Sequence, residues 1–204
     1  GDHTIELLEM ANLAMQAVHL GHGREALAIA RHMLTQQLPP RVAGLFHLRR
    51  ARGLALLGER RRAVDAMATA RAAVTGDAGA DPAWTWWIDP TELAWHEGLM
   101  WLALGEQTRA VDCLTQAAAD YPPVKRRGHY NDLSHLLDAL TRVRAWRDAE
   151  QVAVQVLPYV GEVGSRRTVR LLTRVTSRAA TAGVPGTPGE VLRELGHLLV
   201  ADTR

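Results

Sequence analysis

The chain has 204 residues with a formal net charge of +2, and 47% of them are hydrophobic, which is enough to bury one continuous core. No apolar run reaches the roughly 18–20 residues that a bilayer-spanning helix needs, so we expect no membrane partner. A single cysteine, Cys113, excludes an internal disulfide and fits a cytoplasmic location.

The basic residues are almost all arginines, since Lys125 is the only lysine. Consecutive arginines, a pattern that can indicate nucleic-acid binding, occur at 49–50, 60–62, 126–127 and 166–167. Acidic residues are interleaved throughout the chain. We therefore interpret the arginine runs as parts of solvated helix faces and turns.

A Leu-Gly-x4-Ala phrase occurs three times, each time between two apolar helical stretches, at 20–26, 57–63 and 104–110. The glycine suits the left-handed turn that ends a helix. The phrase therefore predicts three helical hairpins with a common period.

Small and apolar residues recur at fixed distances from each glycine. Seven residues before it, where two helices must approach closely, stand Ala14, Ala51 and Gly98. On the second helix, the matching positions hold Ala26, Ala63 and Ala110, and then Ala30, Met67 and Leu114. A fourth unit lacks the glycine but keeps the register with Leu137, Ala149, Ala153 and Val156.

These repeats, over about Ile5 to Leu157, resemble the tetratricopeptide repeat. The resemblance implies an all-α, right-handed solenoid of helical hairpins with about ten helices. We expect tetratricopeptide-like repeats over 1–160, in about four hairpins. The glycines are 37 and then 47 residues apart, which predicts long connectors. Prolines are expected to end the second helices, at Pro39-Pro40, Pro122-Pro123 and Pro158.

The largest insertion, 75–89, is the least repeat-like part. It begins with a turn-rich stretch at 76–79 and contains Trp84, Trp86 and Trp87. We expect these tryptophans either to pack onto the solenoid or to contribute to a pocket or dimer surface. Asp89 is the predicted N-cap of the following helix, with Pro90 in its first turn.

A final helix pair at 161–204 is expected to cap the stack, because a solenoid otherwise exposes the apolar face of its last repeat. Its helices are predicted over 166–182 and from about 188 to 200, with a capping box formed by Thr187 and Glu190. The last helix carries a leucine stripe that either completes the cap or forms a dimer surface: Leu192, Leu195, Leu198 and Leu199.

A wider resemblance rests on the Trp-Trp-Ile-Asp-Pro-x-Glu-Leu segment at 86–93, the Gly-x5-Leu-Gly hairpin that follows at 98–105, and the Gly-Ser-Arg-Arg helix start at 164–167. Together they are similar to the C-terminal sensor half of actinobacterial, Streptomyces-type helix-turn-helix transcriptional regulators. The resemblance implies a homodimer that senses a ligand and reaches DNA only through an N-terminal domain absent from this chain. Gly1, followed by Asp2, fits a fragment of a longer protein.

In this repeat type the first helix of each pair lines a concave groove, which is where we expect a small molecule or short peptide to bind. Arginines can grip a carboxylate bidentately, and an amide can pair with an extended backbone. An aromatic ligand would instead use the tryptophans. The alternatives are inter-helix packing for Trp95, and solvent exposure or salt bridges for the arginines. The predicted groove residues are Met15, His19, Arg49, Arg52, Trp84, Trp86, Trp87, Trp95, His96, Leu99, Asn131, His135, Asp138 and Arg142.

Catalytic and metal patterns are weak. His19-x2-His22 with His32 has a metal-like spacing but no cysteine or carboxylate in register. No nucleophile motif or phosphate loop is present. We therefore expect neither an enzyme nor a metal or other cofactor.

The leading interpretation is a ligand- or peptide-sensing and dimerisation domain of a bacterial transcriptional regulator. The alternative is a constitutive protein–protein interaction scaffold. An accessory subunit of an enzyme is a third reading.

Overall fold

The computed structural model describes residues 3–76, 81–119 and 126–202. Those residues form ten α-helices and no strand, which confirms the all-α prediction. The helices are α1 (His3–His19), α2 (Gly23–Met33), α3 (Pro40–Leu56), α4 (Arg60–Thr75), α5 (Pro90–Ala103), α6 (Gln107–Ala119), α7 (Arg126–Arg142), α8 (Trp146–Val156), α9 (Arg166–Thr181) and α10 (Gly186–Asp202). Short 3-10 helices occupy Ala83–Trp87 and Leu157–Tyr159.

The chain forms two compact units, Gly1–Glu106 and Gln107–Arg204. In the first unit, α3 packs against both α1 and α5, so the first helices of the hairpins form one layer. The second layer consists of α2, which packs on α1 and α3, and α4, which packs on α3 and α5. This alternation is what stacked helical hairpins require.

The second unit is built in the same way around α7. Helix α7 contacts α6, α8 and α9, and α10 packs on α8 and α9. The sequence predicts a different division, with repeats at 1–160 and a cap at 161–204, and this division stays a prediction.

The hairpin turns share one backbone geometry. The φ angles of Gly21, Gly58 and Gly105 are +79, +74 and +79°. After each glycine the next amide donates back to the helix, as in His22 N to Ala17 O at 2.8 Å and Glu59 N to Leu54 O at 3.0 Å. This pairing is the Schellman motif, and it satisfies carbonyls that the helix end leaves open.

The fourth turn has the same geometry without a glycine. Arg144 takes φ 59°, and Ala145 N donates to Leu140 O at 3.0 Å. The sequence predicted the register of this unit correctly. Arg144 occupies the position of the missing glycine, although a side chain with a Cβ is strained there.

The small residues predicted at the helix contacts are buried, which confirms the register. Ala14, Ala26, Ala51, Ala63 and Ala110 are all inaccessible to solvent. The same holds for the fourth-unit residues Leu137, Ala149, Ala153 and Val156.

A close approach between α2 and α3 at two glycines was not predicted. A Cβ on Gly53 would lie 2.9 Å from the carbonyl oxygen of Gly23, and a Cβ on Gly23 would lie 2.8 Å from that of Gly53. Helices α2 and α3 therefore touch backbone to backbone.

The predicted helix ends are confirmed in part. Asp89 caps α5 by accepting from Glu92 N at 2.9 Å, with Pro90 in the first turn. The Thr187 capping box is wrong, because α10 already begins at Gly186 and places Thr187 inside its first turn.

The predicted prolines have different outcomes. Pro39 and Pro40 begin α3, well after α2 ends at Met33, because proline is well suited to a first helical turn. Pro158 lies in the 3-10 helix directly after α8. The predicted turn residues 77–79 and Pro122-Pro123 lie outside the described residues.

The leucine stripe of α10 is mostly internal. Leu192, Leu195 and Leu199 are buried in the second unit, whereas Leu198 is 40% exposed. Packing within the second unit therefore accounts for three of the four leucines.

Candidate functional site

Five side chains of the first unit form an arginine–histidine cluster: Arg49, Arg52, Glu92, Trp95 and His96. The structure thus brings four of the predicted groove residues together. Arg49 and Arg52 lie one turn apart on α3, and the other three residues lie on α5. Positions nine residues before each hairpin turn are equivalent, which is why Arg49 and His96 meet.

His96 is the centre of this cluster. Its Nε2 lies 2.7 Å from Arg49 Nη1 and 3.1 Å from Glu92 Oε1, and its Nδ1 lies 3.1 Å from Arg52 Nη1. The imidazole is fully buried. The pKa of His96 lies well below its usual range, because burial and the positive charges of Arg49 and Arg52 disfavour the protonated ring. The ring is therefore neutral at pH 7.

A neutral imidazole has one acceptor nitrogen and one N–H. It can therefore accept a hydrogen bond from only one of the two arginines at a time. When Nδ1 accepts from Arg52, Nε2–H can donate to Glu92, and the short approach of Arg49 is then a contact between two donors. The cluster holds two guanidinium charges and one carboxylate, so its net charge is positive.

Arg49 is 1% exposed, and burial lowers its pKa to about 10, while Glu92 acts in the opposite direction. It remains protonated at neutral pH and also donates from Nε to Ala11 O at 3.3 Å. The interpretation of Arg49 and Arg52 as solvent-exposed arginines is wrong, because helices α1 and α5 both pack against α3.

Trp95 closes one side of the cluster. The Arg52 guanidinium lies over its indole, 5.8 Å from the ring centroid, and the His96 ring meets it edge-on at 4.7 Å. Trp95 and Leu99 are each 5% exposed, so both are packed between helices. Met15 and His19 lie half-buried on α1.

The tryptophan-rich insertion is attached to the first unit. Trp84 Nε1 donates to Thr4 O at 3.1 Å, and Arg41 N donates to Asp81 Oδ1 at 3.0 Å. Trp84 and Trp87 are half-buried, whereas Trp86 is 66% exposed. Trp84 therefore helps to fasten the insertion to α1, and Trp86 presents an aromatic surface.

The predicted groove residues of the second unit serve different contacts. Asp138 is 4% exposed and accepts from Arg142 Nε at 3.0 Å and from Arg178 Nη1 at 2.9 Å. Arg178, on α9, also donates to Thr141 Oγ1 at 2.8 Å. Sequence reasoning missed Arg178, because 40 residues separate it from Asp138 and no periodic signal marks it.

Asn131 and His135 lie half-buried on α7. Asn131 donates to Asp132 Oδ1 at 3.1 Å and accepts from Arg167 Nη2 at 3.4 Å. These contacts of Asn131 are separate from the ion pairs around Asp138.

Among the described residues, no group of three or more histidine, cysteine or carboxylate side chains is arranged to hold a metal ion. In the same part of the chain, no helix has both the length and the apolar composition needed to cross a membrane.

Comparisons with known proteins support the repeat fold. A kinesin light chain-like protein of Podosopora anserina with nearly identical TPR-like repeats has a similar structure. The TM-score is 0.63 at 14% identity, covering 100% of this chain and 97% of that one. A variant of that protein matches with a TM-score of 0.64 at 14% identity, covering 100% and 99%. No family model matches the sequence, and neither does any curated protein.

The likeness shows a fold of TPR-like helical repeats over the whole chain. It confirms the tetratricopeptide part of the predicted resemblance. Kinship with helix-turn-helix regulators stays a prediction.

Proposed function

We propose that the chain is a protein-interaction domain that binds a carboxylate-bearing segment of a partner protein at the arginine–histidine cluster. The observation that carries this proposal is the pair of arginines on the first-helix layer, where Arg49 and Arg52 both lie within hydrogen-bond distance of the neutral His96 ring. A carboxylate that contacted both guanidiniums would add negative charge to a cluster whose net charge is positive. Arg52, at 8% exposure, is the more accessible of the two guanidiniums.

The fold supports the same proposal. Stacked helical hairpins present the side chains of successive first helices side by side, which suits an extended peptide. In the first unit, the positions six residues before each hairpin turn hold Met15, Arg52 and Leu99, so the side-chain chemistry differs from one hairpin to the next. Binding without catalysis or cofactor is the activity that we assign to this surface.

The test uses a displayed library of ten-residue peptides with free carboxyl ends. Enriched peptides are resynthesised, and their affinity is measured by fluorescence anisotropy. We expect at least tenfold weaker binding when the peptide is amidated at its carboxyl end, or when Arg52→Gln replaces the guanidinium. Arg61→Gln, an exposed arginine on α4, is the matched control and should leave binding unchanged.

Amidation tests the carboxylate without altering the protein, so a folding defect in the variant cannot hide the answer. The proposal is overturned if no peptide is enriched, or if amidated peptides bind as tightly as free acids.

A second candidate is the sensing and dimerisation domain of a cytoplasmic transcriptional regulator. The observation that favours it is Trp86, an exposed aromatic on a segment whose sequence resembles those regulators. We propose Trp86 as a ligand or homodimer contact. Sedimentation of the protein and of Trp86→Ala would test the homodimer, and a helix-turn-helix encoded upstream of Gly1 would support the regulator.

A further inference from the structure

Two arginine pairs that are 40 residues apart in the sequence meet in the second unit. One pair, Arg126-Arg127, begins α7, and the other, Arg166-Arg167, begins α9. These helices pack side by side, and the contact between Arg167 and Asn131 places their first turns next to each other. Between them is a basic cavity of about 570 Å³, lined by Arg127, Gly128, Asn131, Gly164, Ser165, Arg166, Arg167 and Thr168.

Within the described residues, no carboxylate lines the basic cavity. Arg126 turns away to form an ion pair with Glu162. None of the lining residues is acidic, and no carboxylate in the described part of the chain pairs with Arg127, Arg166 or Arg167. Arg167 Nη2 instead contacts the neutral Asn131 Oδ1 at 3.4 Å.

Arg127 and Arg167 repel each other across the cavity. Desolvation and the charge of Arg127 both lower the pKa of Arg167. Two like charges held near each other in a partly enclosed space are stabilised by an anion between them.

The polar groups at the start of α9 add to this environment. Ser165 is the N-cap, and its Oγ accepts from Thr168 N at 3.4 Å and lies 2.8 Å from Thr168 Oγ1. The amides of Arg166 and Arg167 belong to the first turn, which has no acceptor within the helix. They add positive potential to the side of the cavity that already carries the guanidiniums.

We propose that the basic cavity binds a phosphate group, carried either by a small phosphorylated molecule or by a phosphorylated side chain of a partner. Guanidiniums from two different helices can contact separate phosphate oxygens. Because Ser165 and Thr168 share one hydrogen bond, the hydroxyl that accepts in that bond can donate to the same phosphate. The volume lies within the range of small-molecule pockets and leaves room for the part of the ligand that carries the phosphate. The inference does not depend on the proposed carboxylate site, which lies in the first unit.

The test is a titration of the full chain with sodium phosphate at constant ionic strength, with sodium chloride as the reference, followed by ³¹P NMR and calorimetry. We expect saturable phosphate binding that chloride does not reproduce. The double variant Arg127→Gln/Arg167→Gln should weaken it at least tenfold. Both residues are exposed, so the fold should be unaffected.

Arg170→Gln is the matched control, because Arg170 is an exposed arginine on α9 that does not line the cavity. It should bind phosphate like the unaltered chain. Phosphate binding no stronger than chloride binding overturns the proposal, and so does full affinity in the double variant.

Two further probes separate the sources of the phosphate. One is phenyl phosphate, and the other is a phosphoserine peptide compared with its serine form. Tighter binding of phenyl phosphate than of inorganic phosphate assigns the cavity to a small molecule. Tighter binding of the phosphopeptide than of both assigns it to a modified partner.

Discussion

Arg178 Nη1 lies 2.9 Å from Asp138 Oδ1, so an ion pair with a buried carboxylate ties α9 to α7. Arg142 Nε binds the other carboxylate oxygen at 3.0 Å. Asp138 is thus held from two sides, and its first role is to join two helices of the second unit.

Asp138→Asn should lower the free energy of unfolding by about 2 kcal/mol, because two arginines lose their anionic partner. Urea unfolding at pH 7 measures the change. Asp148→Asn, an exposed residue on α8, should have almost no effect. Equal stability of the two variants would show that the contacts around Asp138 contribute nothing to the fold.

Arg144→Gly should raise the free energy of unfolding by about 0.5–1 kcal/mol, since glycine adopts the left-handed turn conformation without steric cost. The control is Arg147→Gly in the first turn of α8, where glycine should lower stability by a similar amount. Thermal unfolding shows whether each substitution raises or lowers the stability of the protein. A loss of stability in both would mean that the Arg144 side chain stabilises the turn more than its backbone strains it.

Gly53→Ala should destabilise the first unit by about 1–3 kcal/mol, because the new methyl group must push α2 away from α3. Gly196→Ala offers the opposite case. Its Cβ would meet Thr176 at an ordinary 3.5 Å, so the better helix former should add up to about 1 kcal/mol. Denaturant midpoints compare the two, and a neutral Gly53→Ala would disprove the close backbone contact.

Stability should fall as the pH drops below about 6.5, the ordinary pKa of histidine. The folded state keeps His96 neutral, because burial and the charges of Arg49 and Arg52 lower its pKa, while the unfolded state takes up the proton. The free energy of unfolding therefore has its full value above pH 6.5, and it falls by up to about 1.4 kcal/mol per pH unit below that.

Urea unfolding between pH 7.5 and 5.5 measures this slope. Burial and the charge of Arg50 also lower the pKa of His47. The slope is therefore compared between a His47→Gln variant and a variant that carries both His47→Gln and His96→Gln. In the His47→Gln protein, adding His96→Gln should reduce the change in the free energy of unfolding per pH unit. An unchanged slope would mean that His96 is protonated in the folded protein.

The repeat fold could be predicted from the sequence because backbone geometry sets the positions of small residues. Ala14, Ala51 and Ala63 mark helix contacts at fixed distances from the turn, and a local pattern is enough to find them. The proximity of Arg49 and Arg52 to His96 followed from the same register.

Burial and long-range pairing could not be predicted in this way. The burial of Arg49 is one example, because an arginine in a helix is usually solvated and its cost of burial depends on neighbours from other hairpins. The contact between Arg178 and Asp138 crosses from one hairpin to another, and nothing near either residue in the sequence encodes it.

The Arg144 turn shows that the hairpin geometry does not require a glycine. The hydrogen bonds that close each hairpin join backbone atoms, so the turn forms with an arginine in the left-handed conformation at a modest energetic cost. A turn position in this fold is therefore defined by its backbone hydrogen bonds, and it can carry a side chain that a glycine turn lacks.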